Sequence, residues 1–129
     1  MHILILEPDR VLAGQMASFF ELAGHTAAIH SDPQAAVNSM DQQRPDIIIT
    51  ELELAGRSGV EFLYELRSYP EWLDIPAIIY TSLPADQAAA YQQIFKQLNI
   101  KAYLAKSLIG LAGLASQVDS LLPTANAKV

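Results

Sequence analysis

An alternation constrains this chain more than any other feature. Short runs of aliphatic and β-branched residues take turns with longer stretches of helical period. Ile3-Leu4-Ile5-Leu6 reads as a strand, and Leu12, Met16, Phe19 and Phe20 then recur on one helix face. Gly24 ends that helix, and Thr26 to His30 is a second strand. Asp32-Pro33 opens a second helix as N-cap and first residue, with Ala36, Val37 and Met40 inward. Ile47 to Thr50 is the third strand, and Gly59 to Ser68 the third helix, with Val60, Phe62, Leu63 and Leu66 apolar. Tyr69-Pro70-Glu71-Trp72 is a loop in which Trp72 packs. Ala77 to Tyr80 is the fourth strand, Ala85 to Leu98 an Ala- and Gln-rich helix, Ala102 to Ala105 the fifth strand, and Leu108 to Leu122 the last helix. Leu111, Leu114, Val118 and Leu121 share one face of it.

Such an order predicts an α/β fold with a doubly wound five-stranded parallel sheet and five helices on both faces. Chemistry in such sheets gathers at the carboxyl ends of the strands. Those ends carry Glu7, Glu51, Thr81-Ser82 and Lys106: two acids, two hydroxyls and one amine.

Composition removes other classes. The 129 residues suit one domain, and 51% hydrophobic content supports a sizeable core. A net charge of −6, with the eight basic residues scattered, argues against a nucleic-acid surface. No cysteine is present, which excludes disulfides and thiolate chemistry. The apolar run from Ile3 to Leu6 is too short for a signal peptide or membrane span, so the cytoplasm is the expected compartment. No Gly-x-Gly-x-x-Gly, Walker lysine or Gly-x-Ser-x-Gly elbow occurs, and "GRSG" at 56–59 reads as a turn. His2, His25 and His30 lack metal-ligand spacing and are expected at the surface.

The segments "ILILEPD" (3–9), "RPDIIITELELAGRSG" (44–59), "IPAIIYTS" (75–82) and "AYLAKS" (102–107) together resemble the receiver domain of two-component response regulators. The resemblance implies a flavodoxin-like sheet of strand order 2-1-3-4-5, a receiver-like domain over 1–122 and a C-terminal tail over 123–129. In that family two acids after strand one hold Mg²⁺, and an Asp after strand three accepts the phosphoryl group. A Ser or Thr after strand four bonds that group. An aromatic switch residue lies three positions before a lysine that pairs with it. Thr81, Tyr103 and Lys106 match the last three roles.

Other positions depart from the pattern. Glu51 stands at the phosphoacceptor position, and Pro8 replaces the second acid, leaving Glu7. Proline offers no side-chain oxygen to Mg²⁺. Asp9 is either a stray third acid of the pocket or the cap of the first helix. Glu51 reads equally as a partial imitation of a phosphoryl group, held by Lys106 and Thr81, or as an inert remnant paired to Lys106. The expectation is a non-enzymatic, phosphorylation-independent signalling module with no metal and no cofactor. Its partner would be a protein, such as a signalling kinase, an output protein or a second copy. Contact would run through helix four, strand five and helix five, where Tyr103, Gly110 and Gly113 lie. The alternative is a working Mg²⁺-dependent phosphoacceptor of a phosphorelay, and Glu53 supplies no substitute aspartate. A flavin or nucleotide binder has only architectural support.

Overall fold

The computed structural model describes residues 1–121 except 55, 85, 87, 88 and 91. Its elements are β1 (His2–Leu6), α1 (Arg10–Leu22), β2 (Thr26–His30), α2 (Pro33–Gln42), β3 (Ile47–Thr50), β4 (Glu53–Leu54), β5 (Arg57–Ser58), α3 (Gly59–Leu66), β6 (Ala77–Thr81), α4 (Gln92–Phe95), β7 (Ile100–Ala105) and α5 (Leu111–Leu121). The main sheet is parallel, in the order β2-β1-β3-β6-β7. That is the expected doubly wound topology. The two-residue strands β4 and β5 add a small hairpin that periodicity cannot reveal.

Side chains alternate across the sheet, so each strand feeds two cores. Ile3, Ile5, Ile47, Ile49, Ile78 and Tyr80 pack with α1 and α5. Leu4, Leu6, Ile48 and Ile79 pack with α2 and α3 on the other face. β3 is buried along its whole length, as expected for a central parallel strand.

Local chemistry sets the helix ends. Asp9 caps α1 by accepting from the amides of Val11 and Leu12. Gly24 (φ +94°) follows its end: the Gly24 amide bonds Glu21 and the His25 amide bonds Phe20, a Schellman closure needing a left-handed residue. Asp32 caps α2 with Pro33 behind it. Ser58 and Glu61 form a reciprocal capping box on α3.

Several expectations need correction. On α1 the buried set is Ala13, Met16, Ala17 and Phe20, while Phe19 is 38% exposed. Small alanines allow the helix to lie close to the sheet, and a search for large apolar side chains overlooks them. Helix three ends at Leu66 rather than Ser68, and the last helix begins at Leu111 rather than Leu108. Strand five begins two residues early, at Ile100. Of the helix expected over Ala85–Leu98, α4 covers Gln92–Phe95, and 85, 87, 88 and 91 lie outside the described residues, as does the tail. The histidines are half-buried rather than at the surface. His2 bonds the Thr26 hydroxyl at 2.8 Å, and His25 packs its edge against Phe20 with Nε2 3.7 Å from Asp119.

Arg67 staples the end of the fold opposite the strand-end acids. Its guanidinium donates to the carbonyls of Leu98 (2.8 Å), Trp72 (2.6 Å) and Ile75 (2.7 Å). These carbonyls close α4, the turn at Pro70–Trp72 and the approach to β6. Arg67→Met keeps the aliphatic stem and orphans all three acceptors. Urea unfolding should show a loss of about 2–4 kcal/mol, whereas a loss below about 0.5 kcal/mol would mean that water replaces the staple.

Candidate functional site

Three strands, β2, β1 and β6, hand the last carbonyl of their ladders to a functional residue. The Glu7 amide bonds His30 (3.0 Å), the Glu51 amide bonds Leu6 (3.0 Å), and the Lys106 amide bonds Thr81 (2.7 Å). The ladder thus extends one residue beyond β1, β3 and β7, and fixes these backbones side by side.

The side chains converge. Lys106 Nζ lies 2.6 Å from Glu7 Oε1 and 2.8 Å from Glu51 Oε1. Glu7 and Glu51 are 3% and 5% exposed, so two nearly dry carboxylates share one ammonium. The remaining lone pairs are also engaged. Glu51 Oε1 accepts from the Ser82 amide at 3.1 Å, and Oε2 from the amides of Leu52 and Glu53. Glu7 Oε2 accepts from the Asp9 amide at 2.9 Å. The Tyr80 ring centroid lies 5.9 Å from Nζ, and the Tyr80 hydroxyl donates to Ile109. Burial pushes the Glu51 carboxyl up, but bonds from Lys106, Thr81 and the Ser82 amide, with the lysine charge, outweigh it and hold the group below its ordinary value. Burial pulls Lys106 down, and the bonds and charges of Glu51 and Glu7 more than reverse this.

Gly59 lets the segment after β5 return against this site. A Cβ there would collide with the Glu51 carbonyl oxygen, and the Gly59 amide bonds Leu52 at 2.8 Å. No side chain larger than hydrogen fits.

Of the residues singled out in the sequence, Glu7, Glu51, Thr81 and Lys106 come together. Asp9 does not: its carboxylate is spent on the α1 cap, and only its amide reaches Glu7. Tyr103 lies further along β7, packed on the α2/α3-side core, and its hydroxyl donates to Pro84 at 3.3 Å. Sequence reasoning missed Glu7 as the second partner of Lys106, the Ser82 amide and the tight fit at Gly59. The strand order, which seats β1 beside β3, was the signal for Glu7.

Mg²⁺ does not fit this arrangement. The carboxylates that would hold it are Glu7 and Glu51, and an ammonium bridges them at contact distance. Pro8 contributes no oxygen from its side chain, and Asp9 is committed elsewhere. Mg²⁺ demands near-octahedral oxygen coordination.

A five-stranded α/β sheet with acids, hydroxyls and a lysine at its carboxyl edge defines a receiver-type domain. Residues 3–118 match the response regulator receiver domain model, and the chain belongs to that family. It is 32% identical over 85 residues to an uncharacterized 76.5 kDa protein of Thiocystis violacea, covering 66% of this chain and 12% of that one. It is 28% identical over 81 residues to the phosphate regulon transcriptional regulatory protein PhoB of Escherichia coli, covering 63% of this chain and 35% of PhoB. The chain therefore matches only a minor part of either relative's length. The crystal structure of the chemotaxis protein CheY4 of Vibrio cholerae superposes with a TM-score of 0.82 at 17% identity, over 94% of this chain and 98% of that one. Among the described residues no helix is long and apolar enough to cross a membrane.

The charge cluster sets a pH profile. Glu51 has a lowered folded pKa, so its stabilisation is full above the ordinary value of 4.5 and is lost as pH falls through the folded value. Lys106 has a raised pKa, so its contribution is full below 10.5 and is lost as pH rises through the folded value. Stability should hold between these limits. Lys106→Met should cost about 3 kcal/mol at neutral pH, because two buried carboxylates lose their cation. It should also invert the acid limb, so that stability rises from pH 7 toward pH 5 as a carboxylate takes up a proton. Denaturant midpoints across pH test this, and a variant that keeps the wild-type acid slope would refute the shared-cation account.

Proposed function

We propose that this chain is a phosphorylation-independent signalling module that works by binding another protein. Glu51 serves in it as a built-in anion in place of a phosphorylated aspartate. The observation that carries this reading is the engagement of Glu51 Oε1 by both the Lys106 ammonium and the Ser82 amide. In the family the corresponding lysine and the hydroxyl after strand four attend the phosphoryl group; here a carboxylate already holds the lysine. A carboxylate carries less charge and fewer acceptors than a phosphoryl group, so the imitation is partial. Glutamate at the acceptor position and proline at the ligand position both oppose ordinary phosphotransfer. The region of α4, β7 and α5 is the proposed contact face for a kinase or output protein. Ala89, Ala90, Gln92 and Gln93 are exposed there, and Tyr103 links β7 to the loop that follows β6.

Incubation with a small phosphodonor and Mg²⁺, followed by intact mass measurement, should leave the mass unchanged. A phosphoryl-sized gain mapped to this pocket would establish the phosphorelay reading instead. Glu51→Asp by itself should stay unphosphorylated, whereas Pro8→Asp with Glu51→Asp should bind Mg²⁺.

Glu51→Gln separates an active anion from an inert remnant. It keeps the size of the side chain and turns the charged bond to Lys106 into an ordinary one, a loss on the order of 1–2 kcal/mol. Affinity for a partner captured by the wild-type chain should fall about tenfold with the fold intact. Unchanged affinity would make Glu51 a structural remnant. Gln93→Arg should weaken the same binding, and no effect would move the contact face elsewhere.

A further inference from the structure

Helix α1 presents an outer face that the fold does not explain. Val11 is 72% exposed and Leu22 is 89% exposed, and Gln15 and Ser18 lie exposed between them at helical spacing. No charge lies within this stripe. The charges of α1 are Arg10 near its start and Glu21 near its end, both exposed and both on the same flank.

Gly14 lies on that flank too. A glycine inside a helix costs roughly 0.5–1 kcal/mol relative to alanine. Nothing among the described residues requires it, because a Cβ at Gly14 would meet no atom of theirs within 4 Å. Close approach of a second helix would.

We propose that α1 is a self-association surface, and that its occupant is the α1 of a second copy, packed antiparallel about a two-fold axis. Reversing the helix sets Val11 against Leu22 of the second copy. The shared flank brings Arg10 to Glu21 of the other chain, twice by symmetry. Charge complementarity thus favours the antiparallel arrangement, since in a parallel pair these flanks fall on opposite sides of the seam and neither Arg10 nor Glu21 meets a partner on the second helix. Gly14 and Ser18 near the middle let the helix axes approach. The stripe itself carries no charge, so Glu21 is the one carboxylate that α1 brings to the contact, and it meets Arg10 of the second copy. This face is distinct from the α4–β7–α5 region, and its test does not depend on how Glu51 works.

Sedimentation equilibrium of the full chain at rising concentration should show a monomer–dimer equilibrium. Leu22→Glu, at a position too exposed to disturb the core, should weaken it at least about tenfold. Arg10→Glu and Glu21→Arg should each weaken it, and the double variant should restore it, because the pair is reciprocal. Gly14→Ala should raise the unfolding midpoint of the monomer while weakening the dimer, a divergence that a purely structural glycine would not give. The proposal is overturned by a wild-type chain that stays monomeric to near-millimolar concentration, or by a dimer that Leu22→Glu leaves intact. It is overturned equally by a double charge variant no better than the singles.

Discussion

The carboxyl edge of this domain depends on one ammonium shared by two acids. Without Lys106, the sheet would end in two nearly dry carboxylates with like charge, an arrangement that proteins tolerate only by protonation or metal binding. With it, the acids and the lysine satisfy one another, and backbone amides of Leu52, Glu53, Ser82 and Asp9 complete the coordination. The elements around the pocket are consistent with this need. β1, β3 and β7 extend their ladders by one residue to hold the three backbones, and Gly59 yields its side chain to let the hairpin return against Glu51.

The pocket and the proposed partner face are joined by short covalent and hydrogen-bonded steps. Ser82 gives its amide to Glu51 and its hydroxyl to Glu53, while the neighbouring Thr81 receives the amide of Leu83. Pro84 follows in the same loop and accepts from Tyr103. A path of bonded and hydrogen-bonded groups thus runs from Glu51 to the loop after β6, and through Tyr103 to β7. This chain of contacts gives the proposed signalling role a physical route, of a kind that stands or falls on measured coupling.

Much of the architecture was legible because it rests on local rules. Aliphatic strands of four or five residues, Asp at helix starts, Pro33 after Asp32 and Gly24 after α1 each have a mechanism that acts within a few residues. The pocket was legible in its members but not in its wiring. Glu51 with Lys106 followed from the family pattern, yet the 2.6 Å contact of Lys106 with Glu7 depends on three strands meeting in space. For Asp9 the sequence offers a cap and a pocket acid, with the cap the commoner role of Asp at a helix start, and the α1 geometry decides for the cap. The inner face of α1 was misread at Phe19 because the stripe against the sheet runs through alanines. The hairpin of β4 and β5 has no periodicity to detect at two residues per strand.

The lysine bridge has a consequence for the order in which the chain can become native. Lys106 lies 99 residues beyond Glu7 and 55 beyond Glu51. A chain emerging from a ribosome exposes both acids long before their cation exists, so β1 and β3 cannot seal their carboxyl ends against water early. The ammonium reaches the two acids only when β7 docks on β6, a contact of long sequence separation whose closure entropy must be met before the bridge is gained. Nascent or truncated chains that stop short of Lys106 should keep the acid edge open to solvent, which makes the final strand the checkpoint at which this domain commits to its native state.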